Sequence, residues 1–159
     1  MRFRCTIFTL VVTIMSVLAL GTGNGSAQGP TVTKFTITFR TTSDDKDYDT
    51  QVQDRIICNN VDTASLYCCS GGSSSDYWSD GSAVSRDISI LHAIDKAAVP
   101  NCTLVLGSRA YGDDKWVFVP TLHIQYSDGT SEDRTYGGTT LNSRGGEAVV
   151  RRYRIGDSH

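Results

Sequence analysis

The sequence predicts an all-β protein, an antiparallel β-sandwich of about eight strands stapled by disulfides. Three observations point there. Short runs of β-branched and aromatic residues alternate with polar ones at period two. Turn-rich segments separate them every 8–12 residues. No stretch carries the 3.6-residue apolar period of a long amphipathic helix. A closed barrel of similar strand number is the rival architecture.

Residues 1–27 read as a signal peptide. Arg2 and Arg4 form a positive start, Ile7 to Leu20 an apolar run, and Gly25 and Ala27 suit a cleavage site. The apolar run is shorter than the ~20 residues of a spanning helix. The expected mature chain, 28–159, is one domain, secreted and extracellular, with no transmembrane segment. Removing Arg2 and Arg4 leaves 13 basic against 17 acidic side chains, a net charge near −4. That balance argues against nucleic acid as a partner, which wants a basic surface, and suits cations.

Val32 to Arg40 is the clearest strand, with Phe35, Ile37 and Phe39 on one face. Thr41 to Val52 then places Asp44, Asp45, Asp47 and Asp49 within six residues. Carboxylates that close repel one another, so a folded chain keeps them as a solvated loop or as ligands of a cation. Lys46 within the cluster offsets one charge. A second strand runs from Thr50 to Cys58, a turn covers Asn59 to Asp62, and Ala64 to Cys69 reads as a short strand or an irregular segment. Ser70 to Ser85 is rich in Ser and Gly and reads as a long exposed loop. Asp87 to Ala93 is strand-like, a helical turn precedes Pro100, and Thr103 to Ser108 is another strand.

A second acidic turn holds Asp113 and Asp114. Lys115 to Tyr126 carries the longest strand signal, and Pro120 within it predicts a bulge or an edge. Ser127 to Thr130 is a hairpin turn, a short strand lies around Arg134 to Tyr136, and a Gly/Thr loop follows. Glu147 to Ile155 closes the domain.

Cys58, Cys68, Cys69 and Cys102 remain after Cys5 leaves with the signal peptide. An even count in an exported chain predicts two disulfides. Three pairings are possible, and because a bond between adjacent residues is strained, Cys68 and Cys69 are each expected to reach Cys58 or Cys102. Cys68-Cys69 lacks the spacing of a zinc knuckle.

The alternating strand Phe35 to Phe39, the loop ending Asp49-Thr50-Gln51-Val52, and the W-x-F-x-x-x-L-x-I-x-Y strand from Trp116 to Tyr126, followed by Ser-Asp-Gly, resemble the PLAT and C2-like lipid- or calcium-binding sandwich domains. The likeness spans most of residues 31–142. It implies a sandwich with calcium held at one end by Asp44, Asp45, Asp47 and Asp49, helped by Asp113 and Asp114. Calcium chemistry agrees, since the ion takes six to eight oxygens at a flexible site. The charged D-D-K-D replaces the family's glycine-rich first loop, and the paired cysteines are not a general feature of that family.

Tyr77 and Trp78 are candidate ligand-binding aromatics, a platform for a sugar ring or a membrane interface. The competing reading folds Trp78 back over the core. No catalytic residue stands out, and no G-x-S-x-G, H-E-x-x-H or phosphate loop occurs. A ribonuclease-type hydrolase would cast His92, His123, Glu147 and Arg151 as its acid–base and anion-binding groups. Asn101-Cys102-Thr103 fits an N-glycosylation acceptor. Arg144, Arg151, Arg152 and Arg154 form a positive stripe, able to attract anionic lipid or acidic glycan. The expected protein is thus a non-catalytic, calcium-dependent or calcium-stabilised binding module for a glycan, a lipid head group or an extracellular protein. The alternatives are the small hydrolase and a metal-free structural or host-interaction protein.

Overall fold

A computed structural model of the chain describes residues 29–69 and 73–157. The expected signal peptide lies outside the described residues. No described helix is long and apolar enough to cross a membrane.

The protein is nearly all β. Its strands are β1 (Val32–Ser43), β2 (Gln51–Cys58), β3 (Val61–Cys68), β4 (Ala83–Ile90), β5 (Thr103–Arg109), β6 (Asp113–Tyr126), β7 (Ser131–Thr135), β8 (Thr139–Arg144) and β9 (Ala148–Arg154). All pairings are antiparallel, in the order β7-β6-β1-β4-β3-β2-β5-β9, with β8 also against β6. Hydrogen bonding thus runs through one curled sheet. β4 carries the continuity. Its residues from Ala83 to Ile88 pair with β1, and Ser89 and Ile90 pair with β3.

The predicted alternation sets the core. Phe35, Ile37 and Phe39 of β1 are buried with Val52 and Ile56 of β2, Leu104 and Leu106 of β5, and Trp116, Phe118, Leu122 and Ile124 of β6. At about 25 cal/mol per Å² of apolar surface removed from water, such side chains contribute roughly 1.5–3 kcal/mol each.

Pro120 produces no bulge. Phe39 pairs with Pro120 in unbroken register, and the irregularities in that ladder fall between Val32 and Lys34 and between Thr41 and Ser43. On its other side β6 meets β8 from Asp113 to Phe118 and β7 from Thr121 to Gln125. The proline therefore sits where one neighbour ends and the next begins, so its missing N–H costs no ladder bond.

The cysteine pairing differs from expectation. The bonds are Cys58–Cys102 and Cys68–Cys69. Sheet register explains both. Cys58 ends β2 beside Ile57, which faces Thr103 at the start of β5, so Cys102 is delivered to it. Cys68 lies at the opposite end of the β2–β3 ladder, against Val52. Seven residues of strand span over 20 Å, which leaves Cys68 and Cys69 only each other. Cys69 adopts a left-handed φ of 74°.

Candidate functional site

The acidic loop between β1 and β2 is organised around its lysine. Lys46 has no exposed surface, and its Nζ donates to the backbone carbonyls of Asp47 (2.9 Å), Cys69 (3.0 Å) and Asp76 (2.8 Å). The ammonium also lies 5.0 Å from the centre of the Trp78 ring, a cation–π distance. The backbones of Lys46 and Trp78 exchange two hydrogen bonds, which tie the loop to the segment before β4. Burial pulls the Lys46 pKa down to about 8, against the opposing pull of Asp76, Asp114, Asp49 and Asp47. One internal cation thus draws three carbonyl oxygens around itself.

The six candidate calcium ligands are not gathered. Asp44 pairs outward with Lys115 at 2.8 Å. Asp45 accepts the hydroxyl of Tyr77 and the backbone N–H of Asp80, and the Tyr77 bond holds its carboxyl below the usual range. Asp47 contributes a carbonyl to Lys46 and an N–H to Asp114. Asp114 turns inward, accepts the Thr50 hydroxyl, and is pushed upward in pKa by burial. Asp49 stands beside Gly112, and Asp113 is exposed opposite Arg144. Among the described residues no three His, Cys, Asp or Glu side chains form a group able to hold a metal ion.

Trp78 is 1% exposed and stacks on Phe39 at 5.3 Å and edge-on to Trp116 at 5.2 Å. It offers no exposed platform; its ring belongs to the core. Tyr77, 42% exposed, spends its hydroxyl on Asp45. The Ser/Gly stretch is therefore anchored and shorter than expected, since β4 begins at Ala83.

The hydrolase residues are scattered. His92 lines a cleft of about 260 Å³ with Asn59, Thr63 and Asp95, at the Cys58 end of β2. Glu147 sits in the β8–β9 turn, next to Ala148, which faces Arg109 and hence the Gln51 end of β2. The length of a strand separates them. His123 belongs to β6 and pairs with Asp133 of β7. General acid–base chemistry needs its groups within reach of one substrate atom.

A site that sequence reading missed lies on the outer face of β3, β2, β5 and β9. A cleft of about 420 Å³ is bounded by Gln53, Arg55, Ser65 and Tyr67 on one side and Ala148 and Val150 on the other. Between those sides runs β5, where Gly107 is in register with Val150. A Cβ at Gly107 would meet the Gln53 carbonyl at 2.7 Å and Val150 at 3.5 Å, so only glycine lets the strands close there. Tyr67 is 69% exposed at the rim, and Val150 is 42% exposed.

Beneath the cleft, Asp54 inserts its carboxyl between β2 and β5. Oδ1 accepts the Gly107 N–H at 3.1 Å, and Oδ2 is buried with no partner among the described residues. Burial pushes the Asp54 pKa up to about 8, the Gly107 bond opposing, so the acid is protonated at neutral pH. In the sequence Gly107 and Tyr67 are 40 positions apart, and only the glycine interrupting an apolar strand hinted at a close approach.

No protein-family model matches this sequence, and no curated protein matches it.

Proposed function

We propose that the protein is a secreted, non-catalytic binding module that takes a saccharide on the outer face of β3, β2, β5 and β9. The observation that carries this reading is the exposed Tyr67 ring at the rim of a cleft of about 420 Å³. An aromatic ring offers a flat apolar face to the C–H groups of a sugar, while Gln53, Arg55 and Ser65 supply donors and acceptors for its hydroxyls. The landmarks that resemble PLAT and C2-like domains support a recognition role, and the signal-peptide reading of residues 1–27 supports a role outside the cell.

The test is a glycan array followed by titration calorimetry. The expected result is binding of oligosaccharides that weakens at least tenfold in Tyr67→Ala, with the far-ultraviolet spectrum unchanged. Binding unaffected by Tyr67→Ala would move the site elsewhere. An amino-terminal residue of Gln28 on the exported protein is the corresponding result for secretion.

A further inference from the structure

We infer that the ligand of the outer-face cleft is an acidic polysaccharide, a chain of sugars bearing carboxylate or sulfate groups. The inference rests on the binding-module reading and adds the chemical class. It comes from the register of four neighbouring strands. Tyr67 lies beside Gln53, and across the sheet Gly107 lies beside Val150; Tyr67, Gln53 and Val150 line the cleft. One row further along, Ser65, Arg55, Val105 and Arg152 stand side by side. Beyond them Thr103 faces Arg154, and on the opposite side Gln51, Arg109 and Ala148 form the next row.

Residues two apart on a strand share a face, so Arg55, Arg109, Arg152 and Arg154 project on the same side as the cleft. The row of Tyr67, Gln53 and Val150 is therefore flanked by guanidinium groups along both directions of the strands. Arg55 also pairs with Asp62 at 3.2 Å. This basic field sits on a chain whose expected mature form is acidic overall, with six of its 17 acids in the β1–β2 loop and at the start of β6.

The geometry selects among anions. Arg55 and Arg152 are two strand spacings apart, about 10 Å, with the tyrosine ring on the neighbouring row. A repeating polyanion with ring-shaped units meets both demands. Its rings lie on Tyr67, and its carboxylate or sulfate groups engage the planar guanidiniums in paired hydrogen bonds. A single small anion would use one arginine and leave the aromatic rim idle.

The experiment titrates the purified, disulfide-intact protein with a polyuronate oligosaccharide, a sulfated oligosaccharide, a neutral glucan of equal length and a polyglutamate peptide. The same titrations are run on Arg152→Glu, Arg55→Gln and Tyr67→Ala. The expected result is acidic-saccharide binding at least tenfold tighter than glucan binding, weakening at least tenfold from 20 to 300 mM salt as screening grows. Arg152→Glu, a change at an exposed position, should lower that affinity at least tenfold with the thermal midpoint unchanged.

Glucan bound as tightly as the acidic sugars, with Tyr67→Ala weakening both and the arginine variants neither, would overturn the acidic class and keep the binding module. Polyglutamate bound as tightly as polyuronate would overturn the saccharide. Failure of every saccharide to bind would remove both readings.

Discussion

Lys46 is a buried cation at the centre of the β1–β2 loop. Three carbonyls from residues 47, 69 and 76 converge on its ammonium, and removing it leaves buried acceptors without donors. Lys46→Met should lower unfolding stability by about 3–5 kcal/mol, measured by urea denaturation at pH 7. Its pKa is about 8 in the fold against 10.5 for an ordinary lysine, so between those values the unfolded chain holds more protons. The Lys46 contribution to stability therefore rises as pH climbs from 8 to 10.5, and the methionine variant should lose that rise. Asp54 has the opposite sign. Its native pKa, about 8, lies above the ordinary 3.8, so its contribution is complete below pH 4 and is lost as pH rises through 8. Asp54→Asn should flatten that decline and be the more stable protein at pH 9, with denaturant midpoints at pH 5, 7 and 9 as the readout. The sequence showed Lys46 among four acids, which suggested partial neutralisation. Its burial could not be read there, because two of its three acceptors come from a segment more than 20 residues away.

At the scale of elements, the two disulfides differ in kind. Cys58–Cys102 spans a sequence separation of 44, and closing a loop of that length constrains the unfolded chain by about 4 kcal/mol. Cys58→Ser with Cys102→Ser should cost about that much in global stability. Cys68–Cys69 closes no loop; it fixes the carbonyl that Lys46 binds. Replacing both by serine should leave the global midpoint nearly unchanged and loosen the β1–β2 loop instead. Limited trypsin digestion is the check: cleavage after Lys46, blocked in the parent by burial, should appear in the double variant. Strand legibility followed side-chain chemistry. β1 and β6 stood out because phenylalanine, isoleucine and tryptophan mark their inward positions. β8 was read as a loop because its inward positions are Thr139, Leu141 and Ser143, a period of two written mostly in small polar residues. β4 was truncated for the same reason: Val84 to Arg86 hides in a serine-rich context, where Ser85 bonds Thr38 across the ladder.

For the whole molecule, the all-β class was visible in period and turn spacing, whereas the strand order was not. Neighbours such as β1 and β6 are related by long-range pairing that no local pattern encodes. The cleft suffered likewise, being lined from three strands whose residues span positions 53 to 150. With Lys46 as the loop's own cation, millimolar calcium exchanged for EDTA should leave the thermal midpoint within about 1 °C, whereas a ligand at a hundredfold excess over its Kd would add about 2.7 kcal/mol. Strand order also sets a timetable. β1 leaves the ribosome first among the strands, yet it pairs with β4 and β6 and nothing earlier. At about 5–20 residues per second, roughly 4–17 s pass between completing Ser43 and completing Tyr126. Throughout that interval β1, which carries Phe35, Ile37 and Phe39, has its β6 partner still incomplete, a state in which an export channel or a chaperone can hold it open.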